Sequence, residues 1–167
     1  MNFNDDPLMK EIVDEFCNET SDLLELLEKS LCLIEEDTSN LKELEKFGQV
    51  IDRIMGAAKS IGATEMATFC ELGKAIGYKS SQINEKALIE VVVAVLFDAL
   101  ELLKKMNSFL KAGDDKSMSK LNNKAFLTRL NWLCEKFKDI ERSSCAVTDD
   151  VTLNQKSIDE LMKSLGL

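Results

Sequence analysis

The sequence predicts an all-α fold, an antiparallel helical bundle, on three observations. Apolar residues recur at spacings of three and four along most of the chain, which is the signature of amphipathic helices. Breakers are scarce, with one proline and seven glycines in 167 residues. The gaps between periodic stretches are short, and short connections favour antiparallel neighbours. A 45% hydrophobic content supplies one good core, so residues 1–142 read as a single bundle, 143–152 as a linker and 153–167 as a separate amphipathic helix.

The first helix is expected from Leu8 to Glu35, just after Pro7, with Ile12, Phe16, Leu23, Leu26, Leu27, Leu31 and Ile34 as its apolar face. Asp37-Thr38-Ser39-Asn40 breaks it. Asn40 and Glu43 have the spacing of a capping box for the next helix, with Asn at the cap. That second helix carries Leu44, Phe47, Ile51, Ile54, Ala58 and Ile61 in one stripe and ends at Gly62. Thr64 is placed to cap a third, shorter helix bearing Met66, Phe69, Cys70, Leu72 and Ile76 as far as Gly77, with 78–83 as a loop.

Asn84 is expected to open a fourth helix to about Ala112. Its run from Ala87 to Phe97 is apolar nearly all round and rich in β-branched residues that also suit a strand. Leu100, Leu103, Met106 and Leu110 continue it at helical spacing, which makes it the central helix of the bundle. After a turn at 113–117, Leu121, Phe126, Leu130, Leu133, Phe137 and Ile140 mark a fifth helix to about Arg142. Periodicity then lapses until Leu153. From Asn154 onward, Ile158, Leu161, Met162 and Leu165 form an i, i+3, i+4, i+7 stripe, with Leu153 and Ile158 at hydrophobic-staple positions. A helix of about 12 residues is marginal alone in water, so it is expected to order by docking, on its own bundle or on another protein.

Composition excludes several functions. The net charge of −9 argues against a nucleic-acid or anionic-membrane surface, since both call for clustered Lys and Arg. No histidine is present, which removes His-based triads, His general bases, His metal ligands and phosphohistidine together. No metal site or cofactor is expected in the chain itself. Five cysteines without a CxxC pair read as reduced, mostly packed thiols. With no apolar run near the ~20 residues a bilayer requires, and no basic-then-apolar leader in MNFNDDPLMKE, a cytoplasmic location is expected.

The second helix has an equally regular polar side. Glu45, Gln49, Asp52 and Gly56 follow one rhythm, with Gln49 about 160° around the axis from Ile51 at roughly 100° per residue. Glu45 and Gln49 place a carboxylate and a carboxamide one turn apart, beside small residues that keep the surface low.

Two family resemblances fall on these residues. IVDEFCNETSDLLELLEKSLCLIEE and DRIMGAAKSIG together resemble the histidine-containing phosphotransfer (HPt) domain over roughly residues 8–112, with Asp52 where that family has its histidine and Met55 at its usual lysine. The resemblance implies an HPt-like bundle that cannot transfer phosphate through histidine but keeps a surface for a receiver domain. An ordinary bundle whose small residues serve packing remains the plain alternative.

EKFGQVIDRIM is similar to the catalytic helix of the chemotaxis phosphatase CheZ, with Gln49 at that family's glutamine and Glu45 at its acid, where aspartate is usual. An ExxxQ pair alone is common on exposed helices. NQKSIDELMKSLGL is similar to the terminal helix by which CheZ holds the response regulator CheY, and to the CheY-binding leader of the flagellar switch protein FliM. Gln155, Ile158, Asp159, Leu161, Ser164, Leu165 and Gly166 carry that match, and Met162 completes the apolar face. The alternative is a tail that folds back on its own bundle.

These resemblances imply a phosphatase that hydrolyses the aspartyl phosphate of a CheY-type receiver in chemotaxis signalling. Gln49 would position the water and Glu45 would pair with the receiver's lysine. Asp52, Arg53 and Gly56 would contact the partner beside them, with Gln155, Ile158, Asp159, Leu161, Met162 and Leu165 as the tether. Mg²⁺ is expected in the receiver, not in this chain. The other reading is a non-catalytic HPt-like adaptor that binds receivers without phosphotransfer. CheZ proteins build their bundle from two chains, whereas five helices suffice to close one here, which leaves a homodimer open.

Overall fold

A computed structural model describes residues 7–81 and 85–114, Met118 and Leu121, and then 128–130, 132–133 and 135–137. Every element among them is helical: α1 (Pro7–Glu36), α2 (Lys42–Ser60), α3 (Thr64–Ser80) and α4 (Lys86–Ala112), followed by helical residues at 128–130, 132–133 and 135–137. No helix among the described residues is long and apolar enough to cross a membrane.

The four helices pack in a closed ring, each against the next, with α4 returning to α1. The order of their contacts makes neighbours antiparallel. Along α1 and α2, Glu19 meets Arg53 while Ser30 meets Glu43. Along α2 and α3, Lys59 lies by Glu71 and Asp52 by Lys74. Along α1 and α4, Asn18 meets Lys111, Ser21 meets Asn107 and Glu28 meets Lys104. Leu27, Leu31, Ile51, Ile54, Leu72, Ile76, Val92 and Leu96 fill the centre without solvent exposure. Their burial is the main stabilising contribution to the fold.

The stripes on α2 and α3 are buried as their spacing predicts, whereas α1 differs. Ile12 and Leu26 are exposed, and Val13, Cys17, Thr20 and Leu24 are buried in addition to the rest of the predicted face. The buried stripe of α1 is therefore rotated, and Ile12 and Leu26 fall on its outer edge. A helix of 30 residues offers more apolar positions than its two neighbours can cover. At α4, Asn107 is buried and donates from Nδ2 to the Cys17 carbonyl at 2.9 Å and to Ser21 Oγ at 3.0 Å, tying α1 to α4. Burial pushes the Cys17 thiol up to about 11 and the Cys70 thiol up to about 12, so both are inert packed groups. Cys32 is exposed. Cys134 and Cys145 lie outside the described residues.

Helix ends show where local rules hold. Gly62, at φ 78°, closes α2 in a Schellman turn, with the Ala63 N–H donating to the Ala58 carbonyl and the Gly62 N–H to that of Lys59. Gly113, at φ 66°, closes α4 the same way, through Asp114 to Phe109 and Gly113 to Leu110.

The N-termini depart from expectation. The Asn40–Glu43 capping box does not form: α2 starts at Lys42 without a side-chain cap. Glu43 is instead buried against Lys46 and the Ser30 hydroxyl, which hold its carboxyl below the usual range. Asp37 organises the turn, its carboxylate accepting from the Ser39 N–H and hydroxyl, an arrangement that also lowers its pKa. Thr64 is the first residue of α3 and not its cap, and its hydroxyl donates to the Gly62 carbonyl. Residues 78–80 continue α3 in place of the expected loop, and α4 opens at Lys86 after Glu85, with Asn84 outside the described residues.

Being covered on several sides explains the composition of α4. It packs on α1 and α3, and the fifth helical stretch reaches it through an Arg129–Asp98 ion pair. In that stretch Leu130, Leu133 and Phe137 are buried as predicted. Phe126, Ile140, the linker at 143–152 and the whole of 153–167 lie outside the described residues.

Candidate functional site

The polar side of α2 faces solvent because its opposite side holds the core stripe. With Leu44, Phe47, Ile51, Ile54 and Ala58 all buried, the period of 3.6 leaves Glu45, Gln49, Asp52 and Gly56 exposed. Three of these four belong to one feature. Glu45, Gln49 and Asp52 line a cleft of about 300 Å³ between α2 and α3, together with Lys74, Tyr78 and Ser81.

The floor of the cleft is low for a local reason. Gly48 and Gly77 line it from the two helices, above the buried Leu44. A Cβ added at Gly48 would meet nothing within 4 Å, whereas one at Gly77 would sit 3.7 Å from the Phe47 ring. Phe47 therefore fills the space beneath Gly77, and Gly48 leaves its part of the floor open.

The walls differ in charge. Lys74 Nζ lies 2.6 Å from Asp52 Oδ1, so the Asp52 carboxylate already holds an ion pair within the chain. Glu45 and Gln49 hold no ion pair or side-chain hydrogen bond among the described residues. Both side chains are exposed and remain available to an incoming surface. Tyr78, 47% exposed, stands on the α3 side of the same cleft.

The other two expected contacts on α2 lie elsewhere. Arg53 belongs to the α1 side, where it pairs with Glu19. Gly56 is exposed further along the helix, with open space around its Cβ position, and does not line the cleft. Gln155, Ile158, Asp159, Leu161, Met162 and Leu165 lie outside the described residues.

Sequence reasoning missed Lys74, Tyr78 and Ser81. The signal was present as Gly73-Lys74 and Gly77-Tyr78, a small residue followed by a polar one, repeated one turn apart. Ending the third helix at Gly77 removed Tyr78 and Ser81 from its face. Comparison with family models, curated proteins and solved structures returned no match for this chain.

Proposed function

We propose that this protein is a CheZ-like phosphatase that accelerates hydrolysis of an aspartyl phosphate on a CheY-type receiver domain, using the α2 face of an HPt-like bundle. The observation that carries this reading is the exposed couple of Glu45 and Gln49 on the rim of the cleft, unpaired among the described residues. Beside it the third polar residue, Asp52, is neutralised by Lys74.

An acyl phosphate is already activated, so catalysis consists largely of placing water in line with the leaving oxygen. A carboxamide suits this because it accepts from the water and donates toward the phosphoryl group, whereas a carboxylate only accepts and repels phosphoryl oxygens. Gln49 takes that role. Glu45, one turn earlier, pairs with a lysine of the receiver and sets the docking angle. The Lys74–Asp52 pair supports the arrangement by keeping a second uncompensated carboxylate away from the phosphoryl group. Mg²⁺ is supplied by the receiver.

The segment 153–167, which resembles receiver-binding helices, acts as a tether that makes docking at the cleft effectively intramolecular. The test is loss of phosphate from a phosphorylated CheY-type receiver with wild type, Gln49→Ala and a chain lacking residues 153–167. Gln49→Ala is expected to abolish the stimulation while leaving receiver binding intact, and the truncation is expected to weaken binding. Receiver binding without any stimulated dephosphorylation would favour the adaptor reading, for which the exposed position of Asp52 midway along α2 is the supporting observation.

A further inference from the structure

A second concavity, of about 560 Å³, runs between α4 and the fifth helical stretch. Ala87, Val91 and Ala94 form its α4 side and Trp132 faces them, with Glu90 and Arg129 also lining it. Trp132 is 45% exposed, with Lys136 Nζ 5.5 Å from its ring centroid. The groove thus has an apolar floor, with Glu90 and the Asp98-paired Arg129 among its walls and Lys136 at its Trp132 edge.

We propose that residues 153–167 of the same chain occupy this groove as an amphipathic helix when no partner holds them. Three features match. Ala87, Val91 and Ala94 cover eight residues of α4, as Ile158, Leu161, Met162 and Leu165 cover eight residues of the tail, and each stripe extends about 10 Å at 1.5 Å per residue. The small Ala87 and Ala94 leave room beside α4 for the branched and long side chains of the tail. Asp159 borders the tail's stripe at about 100° from Ile158, where a tail seated in the groove can bring it to Lys136 beside Trp132.

The tether permits this seating. Sixteen residues separate Phe137 from Asn154, a length of chain whose reach is at most about 55 Å. Trp132 is five residues upstream of Phe137, about 7.5 Å along a helix. Burying the stripe also stabilises a helix too short to persist alone. The seating itself stands apart from the phosphatase reading. Its consequence, that a receiver and the groove compete for the tail, rests on that reading.

Trp132 is the only tryptophan in the chain and reports on the groove directly. In the full chain its fluorescence is expected to be blue-shifted and protected from acrylamide. Protection should be lost on deleting 153–167, in the double variant Leu161→Asp with Leu165→Asp, and in Ala94→Glu, which changes an exposed residue of the groove. A synthetic peptide of residues 153–167 should restore protection to the truncated chain.

Equal quenching in the full and truncated chains overturns the proposal, as does protection that disappears on dilution, which would assign the tail to a second copy. Adding a receiver to the full chain should expose Trp132. Failure of that step alone, with tail-dependent protection intact, counts against the phosphatase reading and leaves the docking in place.

Discussion

The cleft between α2 and α3 and the groove beside α4 differ in the side chains that line them. In the cleft, glycines lower the floor, charges line the walls, and the side chains of Glu45 and Gln49 are unpaired among the described residues. In the groove, alanines and a valine face an indole, with Glu90 and the Asp98-paired Arg129 among the lining residues. Apolar burial is non-directional and supplies affinity, whereas fixed polar groups supply orientation and chemistry. On the two proposals, holding falls to the groove and positioning to the cleft, a division that mutations can break.

The largest expected effect is at the support of the cleft. Phe47, 1% exposed, fills the space under Gly77, and Phe47→Ala is expected to cost about 3–5 kcal/mol in denaturant unfolding. Val91→Ala, at a half-buried position in the groove, should cost about 1 kcal/mol. Equal losses would show that the cleft floor is no better packed than the groove wall.

Glycines sharpen the comparison within α2. Gly48→Ala and Gly56→Ala each add a Cβ into open space and should stabilise the chain by about 0.4–1 kcal/mol. Only Gly48 lines the cleft, so Gly48→Ala alone should reduce receiver dephosphorylation. Equal activity in the two variants would mean that the depth of the cleft is irrelevant.

Smaller again is the exposed Lys74–Asp52 pair, whose removal by Lys74→Ala should change stability by less than about 1 kcal/mol. Its effect should instead appear in activity, by uncovering the Asp52 carboxylate beside Gln49.

The last effect is a slope with pH. Glu43 has a folded-state pKa below its ordinary 4.5, chiefly through its bond to Lys46. Its contribution is complete above the ordinary value and is lost as pH falls through the lower folded one. Urea midpoints taken from pH 7 down to pH 3 should fall less steeply for Glu43→Gln than for wild type. Parallel curves would remove Glu43 from the α1–α2 contact.

Part of the candidate site is legible in the residue pattern alone. The stripe from Leu44 to Ile61 implies a solvent-facing Glu45, Gln49 and Asp52, because a helix that buries one face must expose the other. Their common cleft is not legible there, since Lys74, Tyr78 and Ser81 arrive from a helix whose periodicity points to an end at Gly77. Helix C-termini are predictable, because Gly62 and Gly113 answer to backbone geometry within a few residues. N-termini are less so. A capping box competes with tertiary partners, and Glu43 is satisfied by Lys46 and by Ser30 on α1 instead of by the backbone of its own first turn.

The helical class, the apolar stripes of α2 and α3 and the glycine stops follow from residue type and near-neighbour spacing, as does the lack of any histidine to act. The tertiary structure alone decided which surplus apolar residues of α1 stay exposed, that Asp52 is neutralised by Lys74, and that Arg53 turns to Glu19 and leaves the cleft. Those outcomes depend on contacts between residues distant in the chain, and periodicity along one helix carries no information about the partner that faces it.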